Sequence, residues 1–482
     1  MTKCIKPQQS IVRVGAARGD VTPPVGIYHR MWGAATHDRS TGVHRPLTAT
    51  VLTMATSDLS DNSNQKILVS LDHCLLWTVE MQTLLERVAE RASVDRDSII
   101  VFFSHTHAAG LMGLERCELP GGDMIPHYLD DLASEVAQLV RDAMVSAVPA
   151  TIGYGTGRCS LATNRDYFDI NRGGYVCGFN PDGIADDTVV VARVTGETGT
   201  ALATIVNYAC HPTTLAWDNT LISPDYVGAM REVIEQATEA PCFFIQGASG
   251  DIGPREGFVG DVAVADRNGR QLGYAVLSAL EELLPARQQF AYAGPVVSGA
   301  TIGTWRYEPA TEEQLRDARR WSTAVCEVKL PFRSDLPRRE ELLEEQQRWQ
   351  AEEQTAIGAG DSKSAREARA MVERATRRLV RVEHLPDGDT FPYRAELWRA
   401  GDAIWIPLDG EHYNALQRSL RRRFPDLTLI IGTLANGSNV WYLPDADSYG
   451  KGLYQEEASI LAKSSLELLE EALINTIHEL LA

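Results

Sequence analysis

Short apolar runs that end on polar residues recur along this chain of 482 residues. The clearest run, Ile99–Phe103, contains only β-branched or aromatic residues. It is too short for a helix and is typical of a strand buried on both faces. Similar runs occur at 66–73, 201–209, 241–246 and 428–432. Predicted buried strands therefore alternate with segments whose polar side chains could bind a ligand or take part in catalysis.

Helical spacing of apolar residues separates several of these strands. The predicted helices cover about 77–94, 126–148, 224–237 and 269–284, and an amphipathic helix closes the chain from about 456 to 481. Strands that alternate with helices are typical of α/β proteins. We therefore predict an α/β fold with a mixed, largely buried β-sheet flanked by helices.

Residues 306–384 differ in composition from the rest, because Glu, Arg, Gln and Ala dominate and β-formers are few. The segments 338–357 and 362–382 predict two charged, exposed helices that form a hairpin. We therefore predict one α/β domain made of 11–305 and 385–482, with 306–384 as a helical insertion. The insertion would cover the pocket, contact a second subunit or simply be a solvated surface.

Composition and charge narrow the classes of function. The hydrophobic content of 44% is normal for a soluble globular protein. The net charge of −19 argues against nucleic acid or an anionic membrane as the main partner. No stretch is apolar enough for stable insertion in a membrane. The first ten residues have no apolar core of a secretory signal, and the eight cysteines form no C-x-x-C pair, so we expect a cytoplasmic location.

The first candidate functional residues are His105 and His107, which directly follow the predicted strand 99–103. In extended backbone, residues two apart point to the same side, so both imidazoles would face one pocket. Other polar groups that follow predicted strands are Asp72, His73, His211, Asp251, Glu411 and Tyr442. Two histidines and a carboxylate from separate strand ends, with room for water, are typical of a catalytic zinc site.

Simpler interpretations exist for each of these residues. The H-x-H pair could be two surface histidines in a loop. His211 precedes a proline and could end a strand, and Glu411 could pair with Arg418 on the following turn. The convergence of all these groups on strand ends favours the metal interpretation.

Eight local motifs extend from residue 15 to about 458, nearly the whole chain. They are Gly19-Asp20-Val21-Thr22-Pro23, Thr41-Gly42-Val43-His44, Ser104-His105-Thr106-His107, Asn164-Arg165, His211-Pro212-Thr213, Gly250-Asp251-Ile252-Gly253-Pro254, Gly410-Glu411, and Asn436 through Tyr442 to Tyr454. In this order they resemble the catalytic domain of the neutral (non-lysosomal) ceramidases, zinc amidases that hydrolyse N-acyl sphingosine.

The resemblance implies a role for each matching residue and a zinc-dependent cleavage of a C–N amide bond in a small acylated molecule. It implies that Zn²⁺ is bound by His105, His211, Glu411 and Tyr442. It also places His107, Arg165 and Tyr454 at the substrate. Asp72 and His73 could hold a second ion or, more simply, act as partners of the zinc histidines, and Asp251 and Gly253 would lie beside the site.

Two departures from the family pattern change the expected substrate. Gly253 stands where the family has a serine once proposed as a nucleophile, so a covalent serine mechanism is excluded at that position. We also expect neither the secretion signal nor the C-terminal β-sandwich domain that ceramidases usually carry. We therefore expect a substrate smaller or more polar than ceramide. An esterase or lactonase, or a non-catalytic protein that binds a lipid or polyol, are the alternatives.

Overall fold

The structure, a computed structural model, describes residues 3–56 and 65–482. The strands within these residues are β1 (Cys4–Ile5), β2 (Gln8–Asp20), β3 (Gly42–Val43), β4 (Thr48–Ala55), β5 (Gln65–Leu71), β6 (Ile99–Phe103), β7 (Val148–Arg158), β8 (Ala162–Asn164), β9 (Asp166–Asp169), β10 (Gly174–Cys177), β11 (Thr188–Gly196), β12 (Ala201–Tyr208), β13 (Leu221–Ile222), β14 (Cys242–Gln246), β15 (Ile252–Pro254), β16 (Gln288–Ser298), β17 (Ala300–Pro309), β18 (Trp321–Pro331), β19 (Thr390–Ala400), β20 (Ala403–Pro407), β21 (Glu411–His412), β22 (Thr428–Gly432) and β23 (Tyr442–Leu443). The α-helices are α1 (Thr78–Ala92), α2 (Ile125–Val145), α3 (Tyr226–Thr238), α4 (Val262–Glu281), α5 (Glu312–Asp317), α6 (Arg339–Gly358), α7 (Ser362–Glu383), α8 (Asn414–Arg423), α9 (Tyr454–Ala458) and α10 (Ser465–Leu481).

The largest sheet contains eight strands in the order β14-β12-β11-β7-β2-β4-β5-β6. Strand β5 runs parallel to β6, and β12 runs parallel to β14, whereas the other neighbours are antiparallel. The sheet is therefore mixed, and helices α1 to α4 pack on its outer face. These observations confirm the α/β prediction.

The eight-stranded sheet curls until its two edges meet. Strand β14 at one edge contacts β4, β5 and β6 near the other edge. Across this contact the rings of Phe102 and Phe243 pack edge to face, with their centroids 6.4 Å apart. Strand β6 is at one edge of the sheet, whereas β12 and β14 are at the other. The curl nevertheless brings the end of β6 close to the ends of β12 and β14.

A second sheet fills the concave side of the first. Its four strands have the order β18-β19-β20-β22, with β20 parallel to β22. The indole rings of Trp398 and Trp405 stack with their centroids 5.3 Å apart and pack in the same apolar cluster as the inward residues of the eight-stranded sheet. Helix α10 covers the other face of the four-stranded sheet. The molecule thus has four layers: helices, curled sheet, smaller sheet and helices.

The charged helical hairpin is present as α6 and α7, as predicted. The start of the same segment differs from the prediction, because 306–384 also contains the end of β17 and all of β18. Strand β18 alternates exposed and buried positions and pairs along its full length with β19. The few apolar residues of this stretch are therefore enough to form one half-buried edge strand.

The predicted closing helix is interrupted. Residues 459–464 separate α9 from α10, and Ser464 has a positive φ of 73°. The side chain of Ser459 accepts a hydrogen bond from the amide of Leu461, which competes with helical bonding. The amide of Ala462 donates instead to the carbonyl of Pro331 at the end of β18.

None of the helices in 3–56 and 65–482 is long and apolar enough to cross a membrane.

Candidate metal centre

Two histidines of the centre follow strands of the curled sheet. His105 lies two residues after β6, and His211 lies three residues after β12. The backbone here differs from the predicted extended form: His105 has a φ of +67°, and His107 starts a short 3₁₀ turn, His107–Ala109. The left-handed conformation is uncommon for a residue with a Cβ and is held by the amide of His105, which donates to the carbonyl of His73 at 2.9 Å.

The other two candidate ligands follow strands of the smaller sheet. Glu411 comes after β20 and Tyr442 after β22, and the two residues are register partners in the short parallel pair β21–β23. Partners in a parallel pair point their side chains to the same side. Both side chains are buried and reach the histidines from the opposite sheet.

Three ligand atoms converge on one point. His105 Nε2 lies 3.1 Å from His211 Nε2 and 3.2 Å from Glu411 Oε2, and His211 Nε2 lies 3.0 Å from Glu411 Oε2. The hydroxyl of Tyr442 lies 3.4 Å from His211 Nε2. All four predicted zinc ligands are therefore brought together, and Glu411 contacts these histidines rather than Arg418.

Backbone carbonyls fix the orientation of both imidazoles. His105 Nδ1 donates to the carbonyl of Cys74 at 2.7 Å, and His211 Nδ1 donates to the carbonyl of Ser249 at 2.6 Å. Because each Nδ1 carries its hydrogen toward an acceptor, each Nε2 presents a lone pair to the centre. When both imidazoles are neutral, two lone pairs and a carboxylate face each other, which is the electronic requirement for holding a cation.

The electrostatics favour a positive charge in the centre. Burial opposes charge on His105, yet the neighbouring Cys74 and Glu411 raise its pKa well above the ordinary value. Burial and Arg165 lower the pKa of His211 to about 3. The pKa of Glu411 is well below its usual range because contacts with both histidines outweigh its burial. The centre therefore combines an ionised carboxylate with a neutral imidazole and a strong preference for positive charge.

Among the described residues, a second group with metal-ligand spacing consists of Cys74, His105 and His107. It shares His105, whose Nδ1 already donates to the Cys74 carbonyl. Since that nitrogen has no lone pair left for a metal, the His105–His211–Glu411 set fits a metal ion better. Two nitrogens and a carboxylate oxygen in a buried pocket are typical ligands of Zn²⁺.

His107 lies beside the centre without joining it. Its ring centroid is 5.0 Å from that of His105 and 5.2 Å from that of Trp32. Within 3–56 and 65–482, its Nε2 is buried and has no hydrogen-bond partner. Burial and the neighbouring His105 and His211 hold the pKa of His107 well below the ordinary value.

Arg165 joins the centre through Tyr442. Its Nη2 donates to the Tyr442 hydroxyl at 3.1 Å and to the carbonyl of Gly250 at 2.6 Å. The guanidinium is buried. Tyr454 is further out: its side chain is 47% exposed, and its ring centroid is 5.8 Å from that of Tyr442. The structure thus brings both residues to one side of the centre, Arg165 inside and Tyr454 at the surface.

The side chains of Asp72 and His73 have partners other than His105 and His211. Asp72 forms a fully buried, bidentate ion pair with Arg231 at 2.8 and 3.0 Å. His73 Nε2 lies 2.5 Å from the hydroxyl of Tyr128. The backbone carbonyls of Cys74 and Ser249, and not these two side chains, accept the hydrogen bonds from His105 and His211. A sequence pattern cannot identify such acceptors, because every residue has a backbone carbonyl.

Asp251 and Gly253 lie on the Arg165 side. The carboxyl group of Asp251 accepts from the amide of Asn414 at 2.7 Å and from Asn164 Nδ2 at 3.1 Å, and burial raises its pKa to about 7. A Cβ on Gly253 would lie 3.6 Å from Thr213 Oγ1 and 3.8 Å from Arg165 Cδ. Asp251 therefore holds the surrounding loops together, and Gly253 leaves an open position beside Arg165.

One residue that the sequence analysis missed is Arg381 of α7. Its guanidinium lies over the ring of Trp441, 4.6 Å from the centroid, and Trp441 precedes the candidate ligand Tyr442. The predicted hairpin therefore reaches the edge of the centre. A single arginine among many in a charged helix gives no signal in the sequence.

The fold and the site together define a mixed α/β protein with a buried centre of two histidines and one carboxylate. The sequence model described as "Neutral/alkaline non-lysosomal ceramidase, N-terminal" matches residues 12–260. The chain belongs to this family, as the sequence motifs predict.

Individual relatives are more distant. Neutral ceramidase B of Dictyostelium discoideum is 24% identical over 290 residues, which cover 54% of this chain and 39% of that protein. The crystal structure of the neutral ceramidase from Pseudomonas aeruginosa is similar with a TM-score of 0.61 at 13% identity, over 98% of this chain and 74% of that one. A ceramidase complexed with C2 is similar with a TM-score of 0.64, also at 13% identity, over 98% and 76%. These structural likenesses support the fold.

Proposed function

We propose that this protein is a zinc-dependent hydrolase that cleaves a C–N amide bond. In this proposal His105, His211, Glu411 and Tyr442 hold the ion. The observation that carries it is the convergence of two lone-pair nitrogens and a carboxylate oxygen within 3.2 Å of one another. Membership of the ceramidase family supports the hydrolase class.

When bound, zinc supplies Lewis acidity and lowers the pKa of water to about 7. The chain supplies the proton transfer. His107 is neutral at neutral pH, since its pKa is low, and its buried Nε2 has no partner in the described part of the chain. We propose that it takes a proton from the attacking water and passes it to the amine nitrogen that leaves. Such transfers contribute about 10²–10⁴-fold to a rate.

Arg165 and Tyr454 are proposed to bind the carbonyl end of the substrate. Arg165 is buried and already donates to the Tyr442 hydroxyl, so its guanidinium needs no reorganisation during the reaction. A positioned donor of this kind stabilises a developing oxyanion by about 3–4 kcal/mol. No serine is required: Gly253 has no side chain, and the hydroxyl of Ser249 accepts a hydrogen bond from Gln246.

The hairpin α6–α7 is proposed to cover one side of the substrate path. Helix α7 contacts the loop that carries Trp32: Glu373 accepts from the hydroxyl of Tyr28 at 2.8 Å, and Arg377 donates to the carbonyl of Met31. Trp32 in turn packs on the ring of His107. This arrangement supports the assignment of 306–384 as an insertion that covers the site.

The substrate is proposed to be an acylated small molecule that is smaller or more polar than ceramide, and the location is proposed to be cytoplasmic. The location is supported by the eight cysteines, Cys4, Cys74, Cys117, Cys159, Cys177, Cys210, Cys242 and Cys326, which are all free thiols. The departure at Gly253 from the family motif motivates a substrate other than ceramide.

Turnover with and without a chelator tests the function. We would incubate the purified protein with a panel of N-acyl amides of short and long acyl chains, with p-nitrophenyl esters and with lactones. The proposal expects amide cleavage that a chelator abolishes and that added Zn²⁺ restores. Cleavage of esters or lactones alone would replace the amidase by an esterase or lactonase. Binding of acylated molecules without any turnover in the presence of Zn²⁺ would identify a non-catalytic binding protein.

A further inference from the structure

A cavity of about 310 Å³ lies next to the centre, between the hairpin helix α7 and the segment that leads to Tyr442. Aromatic side chains form its walls: Trp77 and Trp441 pack with their ring centroids 5.3 Å apart, and Phe391 lines it as well. The backbone of the neighbouring Cys74 holds His105. The cavity therefore borders the segments that position two of the candidate ligands.

The charge of this cavity is unusual for so acidic a protein. The chain has a net charge of −19, yet no aspartate or glutamate occurs among the described residues that line the cavity. The lining includes Arg381 and His384, together with Ser438. The hydroxyl of Ser438 is buried and, in the part of the chain that the structure describes, has no hydrogen-bond partner. The cavity thus presents donors and a fixed positive charge.

Arg381 has no protein counter-ion in the described structure. Its side chain is more than nine-tenths buried, and its Nε has no hydrogen-bond partner within 3–56 and 65–482. One carboxylate that acts on it, Glu457, is already ion-paired with Arg374. A buried guanidinium usually pairs with an anion, and stacking on Trp441 compensates only part of its desolvation.

Arg381 also lies close to the reaction centre. It stacks on Trp441, the residue directly before Tyr442, and the ring centroid of Tyr454 lies 5.8 Å from that of Tyr442. Tyr442 is a candidate ligand and Tyr454 a candidate substrate contact. A group bound by Arg381 would therefore lie beside the segment that carries Tyr442.

We infer that the cavity at Arg381 binds an oxyanion of the substrate, so that the enzyme prefers N-acyl compounds with a carboxylate or a phosphate on the amine part. This inference rests on the proposed function for the cleavage itself, but the binding of the anion does not require turnover. The planar guanidinium suits two parallel hydrogen bonds to such a group. Ser438 supplies a further donor.

Binding of three matched ligands to the full chain tests this inference. The probes are N-dodecanoylglycine, N-dodecanoyl-phosphoethanolamine and the neutral N-dodecanoylethanolamine, with affinities measured by isothermal titration calorimetry. We expect at least one anionic probe to bind at least tenfold more tightly than the neutral one. The better of the two anionic probes shows whether the cavity selects a carboxylate or a phosphate.

Variants then locate the anion. Arg381→Gln should abolish the difference between anionic and neutral probes, and Arg381→Lys, which keeps the charge but not the planar fork, should retain part of it. Arg366→Gln is the matched control, because Arg366 lies on the same helix and is exposed. It should keep the full difference. Thermal unfolding of each variant checks that the fold is intact.

Two results would overturn the inference: equal affinity of the wild type for all three probes, or a folded Arg381→Gln variant that keeps the preference. Failure of the proposed function gives a different result. In that case the anionic probes still bind selectively through Arg381, but none is cleaved in the presence of Zn²⁺.

Discussion

His105 Nε2 lies 3.1 Å from His211 Nε2, although the two residues are 106 positions apart in the sequence. The contact exists because the curled sheet brings the end of β6 to the end of β12. With both Nδ1 atoms bonded to carbonyls, the lone pairs of the two Nε2 atoms need a proton or a metal ion between them. This pair is the most direct target for tests of the metal proposal.

Replacement of either histidine should remove the metal. We expect about one zinc per wild-type chain and a loss of affinity of at least about 100-fold in His105→Ala and in His211→Ala, since even partners behind the ligands contribute about 10–100-fold. Inductively coupled plasma mass spectrometry after gel filtration measures the content. His127→Ala is the control, because His127 is on the surface with its side chain 85% exposed. Full metal content in either ligand variant would refute the assignment.

Loss of His107 should affect turnover but not metal binding. In His107→Ala the three converging ligands stay in place, so we expect the zinc content of the wild type. The proton transfer is lost, and kcat should fall by about 10²–10⁴-fold. Steady-state kinetics on the best amide substrate, run beside metal analysis, separates the two effects. A variant with unchanged kcat would exclude His107 from the reaction, and one without zinc would make it a ligand.

The buried pair Asp72–Arg231 should stabilise the fold in a pH-dependent way. Asp72→Asn leaves Arg231 buried without its partner, which costs about 3–5 kcal/mol of the free energy of unfolding. Arg231 and hydrogen bonds lower the pKa of Asp72 below its ordinary 3.8, against its burial. The contribution is therefore complete above the unfolded pKa and is lost only as the pH falls through the lower folded value.

Urea unfolding at several pH values measures this contribution. The difference between wild type and Asp72→Asn should stay constant from pH 7 to about pH 5 and shrink only below the ordinary carboxyl range. Asp131→Asn, whose side chain is 64% exposed, should change stability by less than about 0.5 kcal/mol. A difference that already shrinks between pH 7 and pH 5 would contradict the lowered pKa.

The hairpin should be held in place by Glu373. This carboxylate accepts from Tyr28 at 2.8 Å and from Arg116 at 3.2 Å, and all three side chains are buried. Glu373→Gln removes the buried one of the two carboxylates that pair with Arg116, the other being the partly exposed Glu115. We therefore expect a loss of about 1–3 kcal/mol at this contact. Hydrogen exchange of α7 should become faster as the hairpin opens locally.

The exposed pair on the same helix provides the control for this change. Glu367 contacts Lys363 with its side chain 69% exposed, so Glu367→Gln should leave the exchange of α7 nearly unchanged. If Glu373→Gln exchanged as slowly as Glu367→Gln, the buried network would not be what holds the hairpin.

Restoring a serine at position 253 should change little. A Cβ there meets its neighbours at ordinary contact distances, so Gly253→Ser should shift the free energy of unfolding by less than about 1 kcal/mol. Turnover should stay within about threefold of the wild type, because an isolated hydroxyl lowers a barrier only with an activating base. In Gly250→Ser, by contrast, a Cβ would lie 2.7 Å from the carbonyl oxygen of Glu411, and that variant should be strongly destabilised. A large gain in rate in Gly253→Ser would point to a nucleophilic role for the serine.

The strands and helices with strong local patterns could be predicted from the sequence. The run Ile99–Phe103 forms β6, and the segments 338–357 and 362–382 form the two hairpin helices within a residue or two. Strand β18 was missed because its apolar residues alternate with charged ones in a segment dominated by helix formers. The break at Ser459 was missed because it depends on contacts with β18, which are distant in sequence.

The site could be predicted as a set of residues but not as a geometry. His105, His211, Glu411 and Tyr442 were identified by motif order, and the structure brings them together. The left-handed φ of His105 could not be foreseen, since the same residues fit an extended strand end. The pairing of Asp72 with Arg231 also depends on how α3 packs on the curled sheet, and no local pattern encodes that packing.

The candidate ligands come in pairs from segments that follow two different sheets. His105 and His211 follow strands of the curled sheet, and Glu411 and Tyr442, in the pair β21–β23, follow strands of the smaller sheet. Their mutual distances therefore depend on the spacing between the sheets, which the stacked indoles of Trp398 and Trp405 help to set. A smaller side chain at either indole, remote from the ion, would shift one donor pair against the other. Zinc affinity would then report on core packing, and it would fall in variants that are still folded.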